Sequence, residues 1–179
     1  DYTGRISFKV SDPVLQKIGA EEDRIPDARE FINELHGKNI YAIARISVFQ
    51  DPYFVKKRPD LAVKRKDGEV WKDKKGISWL DPASKDAWDY TVRVAKEAES
   101  IGFDELNFDY IRFPSDGNMT DISYDFWDEV TPRHIVLKNF FAYLRQELGG
   151  LNVALSADLF GLTTWNYDDL NIGQVLEDA

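Results

Sequence analysis

Apolar and polar positions alternate with a period of two in four stretches, residues 4–10, 39–49, 105–113 and 152–160. That period puts successive side chains on opposite faces of an extended chain, and the stretches are rich in β-branched and aromatic residues, so each is predicted to be a strand. Helical spacing fills the intervals. Residues 27–35 set Phe31, Ile32 and Leu35 on one face, with Gly37 as the expected terminator. Ser84 is a good N-cap for a helix through Ser100, which carries Trp88, Val92, Ala95 and Glu99 along one stripe and is followed by Gly102. Thr131 and Pro132 open a third helix that runs to Gly149, and a last one starts near Asp168 or Asp169.

The order βαβαβαβα predicts an α/β fold, a parallel β-sheet with crossover helices. Its connections are unequal. Helix-to-strand links at 36–39, 101–104 and 149–151 are short, whereas strand-to-helix links at 11–26, 50–83 and 114–131 are long. Parallel strands whose C-terminal ends carry a site built from βα loops give this asymmetry. Loops this long without secondary structure of their own are usually functional. A doubly wound sheet would share the order, but no Gly-rich loop follows any strand, which removes the main support for nucleotide binding. A complete TIM (β/α)8 barrel takes roughly 250 residues. Four strands are half of one, so residues 1–179 are expected to form a single partial barrel domain.

Composition narrows the partners. With 43% hydrophobic residues the chain is rich enough for one buried core. The lack of cysteine excludes disulfides and thiolate catalysis, and His36 and His134 alone argue against a histidine zinc centre. No metal or other cofactor is expected. A net charge of −9 opposes a general affinity for nucleic acid, and no apolar run is long enough for membrane insertion. Nine lysines and arginines between Lys56 and Lys75 read as a solvated loop surface. Asp121, Asp125, Asp128 and Glu129 lack the spacing of a calcium loop and read as acidic surface. A half-barrel leaves two sheet edges bare, so either self-association through them or partner strands from outside residues 1–179 are expected.

Period two also selects candidate chemistry. In the third strand Leu106, Phe108 and Tyr110 share the face toward the helices, while Asn107 and Asp109 share the face toward the barrel axis. In the fourth strand Ser156 and Asp158 form the polar set. Arg45 and Ser47 share a face in the second, and Arg5, Ser7 and Lys9 in the first. Asp109 and Asp158 thus end two consecutive strands. Adjacent strands lie about 4.8 Å apart, so matched carboxyl groups fall in the roughly 5–9 Å range of glycoside hydrolases. Arg45 and Lys9 would favour the ionised form of a neighbouring carboxylate. Spacing alone fits a structural Asp–Arg pair inside a barrel equally well; the long loops after these strands favour a site. Trp71 and Trp79 lie in the 50–83 loop, where loop anchoring competes with stacking on a sugar face. Asp51 reads as a turn residue, and Trp165 and Tyr167 as subsite candidates beyond Asp158.

The segment GFDELNFDYIRFPSDG, residues 102–117, resembles the signature of a bacterial family of glycoside-hydrolase-type domains, formerly a domain of unknown function. The resemblance extends through IYAIARISVFQDP, GEVWKDKKGISWLDP, WDYTVRVAKEAESIGFDE and SADLFG, in that order. It implies a fold similar to alpha-amylase-type TIM barrels, with about the second to fifth strands in this chain and the barrel continuing on both sides. Those enzymes carry an arginine two residues before the nucleophilic aspartate. Here Asp109 takes the nucleophile's position and Asn107 the arginine's, a departure from that pattern. The resemblance implies a carbohydrate substrate and an extracellular or cell-envelope setting. Asp109 and Asp158 are the expected catalytic pair, with Lys9, Arg45, Asn107, Arg112, Trp79 and Trp165 binding substrate. The other expectation is a carbohydrate-binding or scaffolding module with the same cleft and no acid/base pair.

Overall fold

In the computed structural model, which describes residues 3–159, the chain runs α1 (Pro13–Ile18), α2 (Ala28–Gly37), β1 (Ile43–Ser47), α3 (Pro52–Lys57), β2 (Lys64–Arg65), α4 (Lys85–Ile101), β3 (Glu105–Asp109), β4 (Ile122–Ser123), α5 (Arg133–Leu148) and β5 (Ala154–Ala157). β1, β3 and β5 form one parallel sheet with β3 in the middle. Ala44, Ile46, Leu106 and Phe108 are buried on its outer face. α4 packs on β1 and β3, and α5 packs on α4. α4 begins at Ser84, whose hydroxyl accepts from the Ala87 amide, and ends at Gly102 with φ 111°, both as the sequence predicts. Each crossover returns the chain to the same edge direction, which places all three C-terminal strand ends together.

Several expectations are corrected. Residues 4–10 do not join the sheet: among the described residues they make one isolated bridge, Ile6 to Glu21. Asp12 caps α1 and Gly19 ends it in the left-handed region, so the chain doubles back. Residues 20–25 then occupy the polar backbone groups that a sheet neighbour would need, with Ile6 N donating to Ala20 O and Ser7 O accepting from Arg24 and Ile25. The alternation is still real, because Ile6, Phe8 and Val10 are buried. Gly37 is the last helical residue of α2 rather than its terminator, and Asn39 takes the left-handed turn, φ 56°. β3 stops at Asp109, because Tyr110 has φ 57° and leaves the alternation. Thr131 does not cap α5; its hydroxyl donates to Asp128.

The long loops are not bare. The 50–83 link carries α3 and β2, and β2 pairs antiparallel with β4 from the 114–131 link. Trp71 Nε1 donates to Asn118 O at 3.0 Å, and the buried Asp81 carboxylate accepts from the Phe126 and Trp127 amides. Two βα loops are thereby knitted into one wall above the strand ends. The last predicted helix, Trp165 and Tyr167 lie outside the described residues.

Candidate active site

Three rows of side chains rise on the inner face of the sheet: Ile43, Arg45 and Ser47 on β1; Glu105, Asn107 and Asp109 on β3; Ala154, Ser156 and Asp158 on and just after β5. The register sets Arg45 opposite Asn107, Ser47 opposite Asp109, and Asn107 opposite Ser156. The rows end in a cavity of about 570 Å³ that both Asp109 and Asp158 line, together with Arg45 and Arg112.

Arg45 joins the two acids. Its Nη2 donates to Asp109 Oδ2, and its Nε lies 3.5 Å from Asp158 Oδ2. Asp109 is the more enclosed acid, its side chain 15% exposed against 51% for Asp158. The second Asp109 oxygen accepts from the Tyr110 amide at 2.7 Å. Asn107 Nδ2 donates to Ser156 Oγ at 3.0 Å and to Asp158 Oδ1 at 3.2 Å. Each acid therefore has its own orienting donors and meets the other at one guanidinium, an arrangement suited to two carboxylates acting on one bound bond.

Of the other expected residues, Arg112 lines the cavity, stacked 4.8 Å over the Trp79 ring and donating to Ser115 Oγ. Burial pulls its proton affinity down, opposed by the carboxylates of Asp116, Asp109 and Asp73. Trp79 is corrected as a sugar platform: it is fully buried beneath Arg112, and its Nε1 donates to Asp73 Oδ2 at 3.0 Å. Lys9 is corrected too. It follows the segment that left the sheet, is exposed, and pairs with Asp23 at 3.6 Å, away from the acids.

The sequence reading missed Gln50, Asp73, Lys75, Tyr110 and Asp116, all on the cavity wall. Asp73 is the keystone of this wall. Burial pushes its carboxyl up, but bonds from the Ile77 and Lys75 amides, Trp79 Nε1 and Gln50 Nε2 outweigh that and hold it below the usual range. Only its place in a long βα loop could have signalled it. Among the described residues no group of three or more His, Asp or Glu side chains is arranged to hold a metal ion, and no helix is long and apolar enough to cross a membrane.

Comparison with known proteins agrees with the barrel reading. Residues 1–179 match the family described as "Putative glycosyl hydrolase domain". The crystal structure of a hypothetical protein from Ruminiclostridium thermocellum is similar at 38% identity and TM-score 0.79, over 90% of this chain and 80% of that one. An alpha-galactosidase from Thermus thermophilus with stachyose aligns at 15% identity and TM-score 0.55, over 78% of this chain and 30% of its own. The glycoside hydrolase domain of PelA from Pseudomonas aeruginosa aligns at 14% and 0.53, over 84% and 51%. The last two likenesses are of fold alone, that of part of a TIM barrel. No curated protein matches the chain.

Proposed function

The chain belongs to that glycosyl hydrolase domain family, and on this premise we propose that it cleaves glycosidic bonds of a polysaccharide or oligosaccharide through Asp109 and Asp158. The convergence of both acids on Arg45 at the mouth of one cavity carries the reading. Glycoside hydrolysis uses two carboxyl groups flanking the bond, one to offset the positive charge growing on the sugar ring and one to move a proton. Asp109, enclosed and held by two donors, is fitted to the first role, as nucleophile or charge stabiliser. Asp158 is the more open acid and takes the second. It gives its proton to the leaving oxygen as the bond breaks, then takes one from the water that enters.

The resemblance to alpha-amylase-type enzymes carries over to this reading with one change. There the arginine stands two residues ahead of the nucleophile on the same strand. Here Asn107 holds that place, and the guanidinium comes from Arg45, opposite Asn107 on the neighbouring strand. A guanidinium thus stands beside Asp109, but it comes from the neighbouring strand and not from Asp109's own.

A glycan-library screen for hydrolysis and binding on the full-length protein, run beside Asp109→Asn, tests the reading. Hydrolysis by the parent, lost in the variant with binding kept, is the expected result. A variant as active as the parent removes the role of Asp109. A parent that binds glycans and cleaves none is a binding module instead.

A further inference from the structure

Below the acids, the inner face carries a chain of hydrogen bonds with a fixed direction. Tyr41 Oη donates to Glu105 Oε2 at 3.1 Å, and Ser156 Oγ donates to Glu105 Oε1. Ser156 Oγ in turn accepts from Asn107 Nδ2, which also donates to Asp158 Oδ1. A carboxylate accepts and does not donate, and a serine hydroxyl has one proton. Because that proton is spent on Glu105, Ser156 can only accept from Asn107. The amide is therefore forced to turn its NH2 toward Ser156 and Asp158 together.

The reversed amide is excluded by its neighbours. Its oxygen would face a hydroxyl whose proton points elsewhere and, whenever Asp158 is ionised, a second acceptor. The present orientation has a visible cost: Asn107 Oδ1 is buried with no hydrogen-bond partner. Such an orphan persists only where something else dictates the orientation.

We propose that Glu105 is a positioning residue, which acts through Ser156 to set the Asn107 amide and so holds Asp158 in its working pose. The proposal rests on the reading of Asp158 as a site acid, but the geometry it predicts can be read without any activity. Glu105 touches neither acid and stands at the opposite end of β3 from Asp109.

The test follows the side-chain amide resonances of Asn107 by NMR in the full-length protein. Glu105→Met removes the acceptor that fixes the Ser156 proton, so the hydroxyl is free to rotate, the hold on the Asn107 amide is lost and its resonances move. Glu105→Gln keeps an acceptor oxygen for Ser156 and is expected to leave them in place, which separates an acceptor role from a charge role. Resonances unmoved in Glu105→Met, or moved as far in Glu105→Gln, would overturn the proposal. Should Glu105→Met not fold, Ser156→Ala reads the same link: the amide must shift there, and an unmoved amide is equally fatal. Where the glycan screen finds a substrate, Glu105→Met is expected to lower kcat with little change in KM. A shifted amide in a protein that hydrolyses nothing leaves this inference standing and removes the catalytic reading alone.

Discussion

Arg45 and Asp109 meet across β1 and β3 although they are not register partners: Ser47 stands opposite Asp109, and Arg45 lies one inward-facing position earlier. The guanidinium must extend along the sheet to reach the strand end, and from there its Nε also faces Asp158. Only a planar fork with several donors can serve two carboxylates in this way. Arg45→Lys keeps the charge and loses the fork. The expected result is a fall in kcat of about 100-fold, the scale of a small misplacement of reacting groups, with stability nearly unchanged because the side chain is largely exposed. Steady-state kinetics and urea denaturation on the same preparations check both halves.

Trp79 supports the site from below. Its indole N–H is one of the bonds that satisfy Asp73, and its face carries Arg112. Trp79→Phe leaves a buried carboxylate one donor short, which costs about 1–3 kcal/mol. The urea midpoint is expected to fall accordingly. A variant as stable as the parent would mean that the indole contributes no such bond.

Gly117 marks the point where the two loops touch. Its φ is +104°, and an added Cβ would lie 2.8 Å from the Trp71 ring and 3.2 Å from Asp73 Cα. The second neighbour is backbone and cannot swing aside. Gly117→Ala is therefore expected to destabilise the protein by about 1–3 kcal/mol, and to raise KM through displacement of the Asp73 wall. Thermal denaturation and substrate titration read the two effects.

What the sequence made legible follows from how local each signal is. The pleat alone dictates that Asn107 and Asp109 share a face, and the described β3 keeps that alternation up to the turn at Tyr110. Whether residues 4–10 enter the sheet was not local: it depended on residues 20–25 competing for the same backbone groups, and Lys9 went with them. An indole in a loop reads alike whether its face is open or covered, so Trp79 needed Arg112 in place above it to be understood. The wall formed by Asp73, Trp71 and Gly117 rests on bonds between the 50–83 and 114–131 links, which no period within either link encodes. The reach of Arg45 to both acids lies between these cases: shared faces suggested it, and the strand register was needed to place it.

Asp51 carries the pH dependence. Its carboxylate caps α3 by accepting from the Phe54 amide at 2.7 Å. It is nevertheless buried, and burial pushes its pKa up from the ordinary 3.8 to about 7, against the opposing backbone bonds from Phe54 and Tyr53. Between those two values the folded protein holds a proton that the unfolded chain has released. Linkage then makes stability fall as pH rises from about 4 to about 7 and level off above, by at most roughly 1.4 kcal/mol per pH unit from this group. Asp51→Asn keeps a side-chain oxygen for the cap and has no charge to bury. Urea midpoints of the two proteins from pH 4.5 to 8 isolate the effect, because every other titrating group cancels in the difference. The variant's advantage is expected to grow steadily to about pH 7 and then hold; a difference that stays flat across the range would show that the Asp51 carboxylate is hydrated in the folded protein.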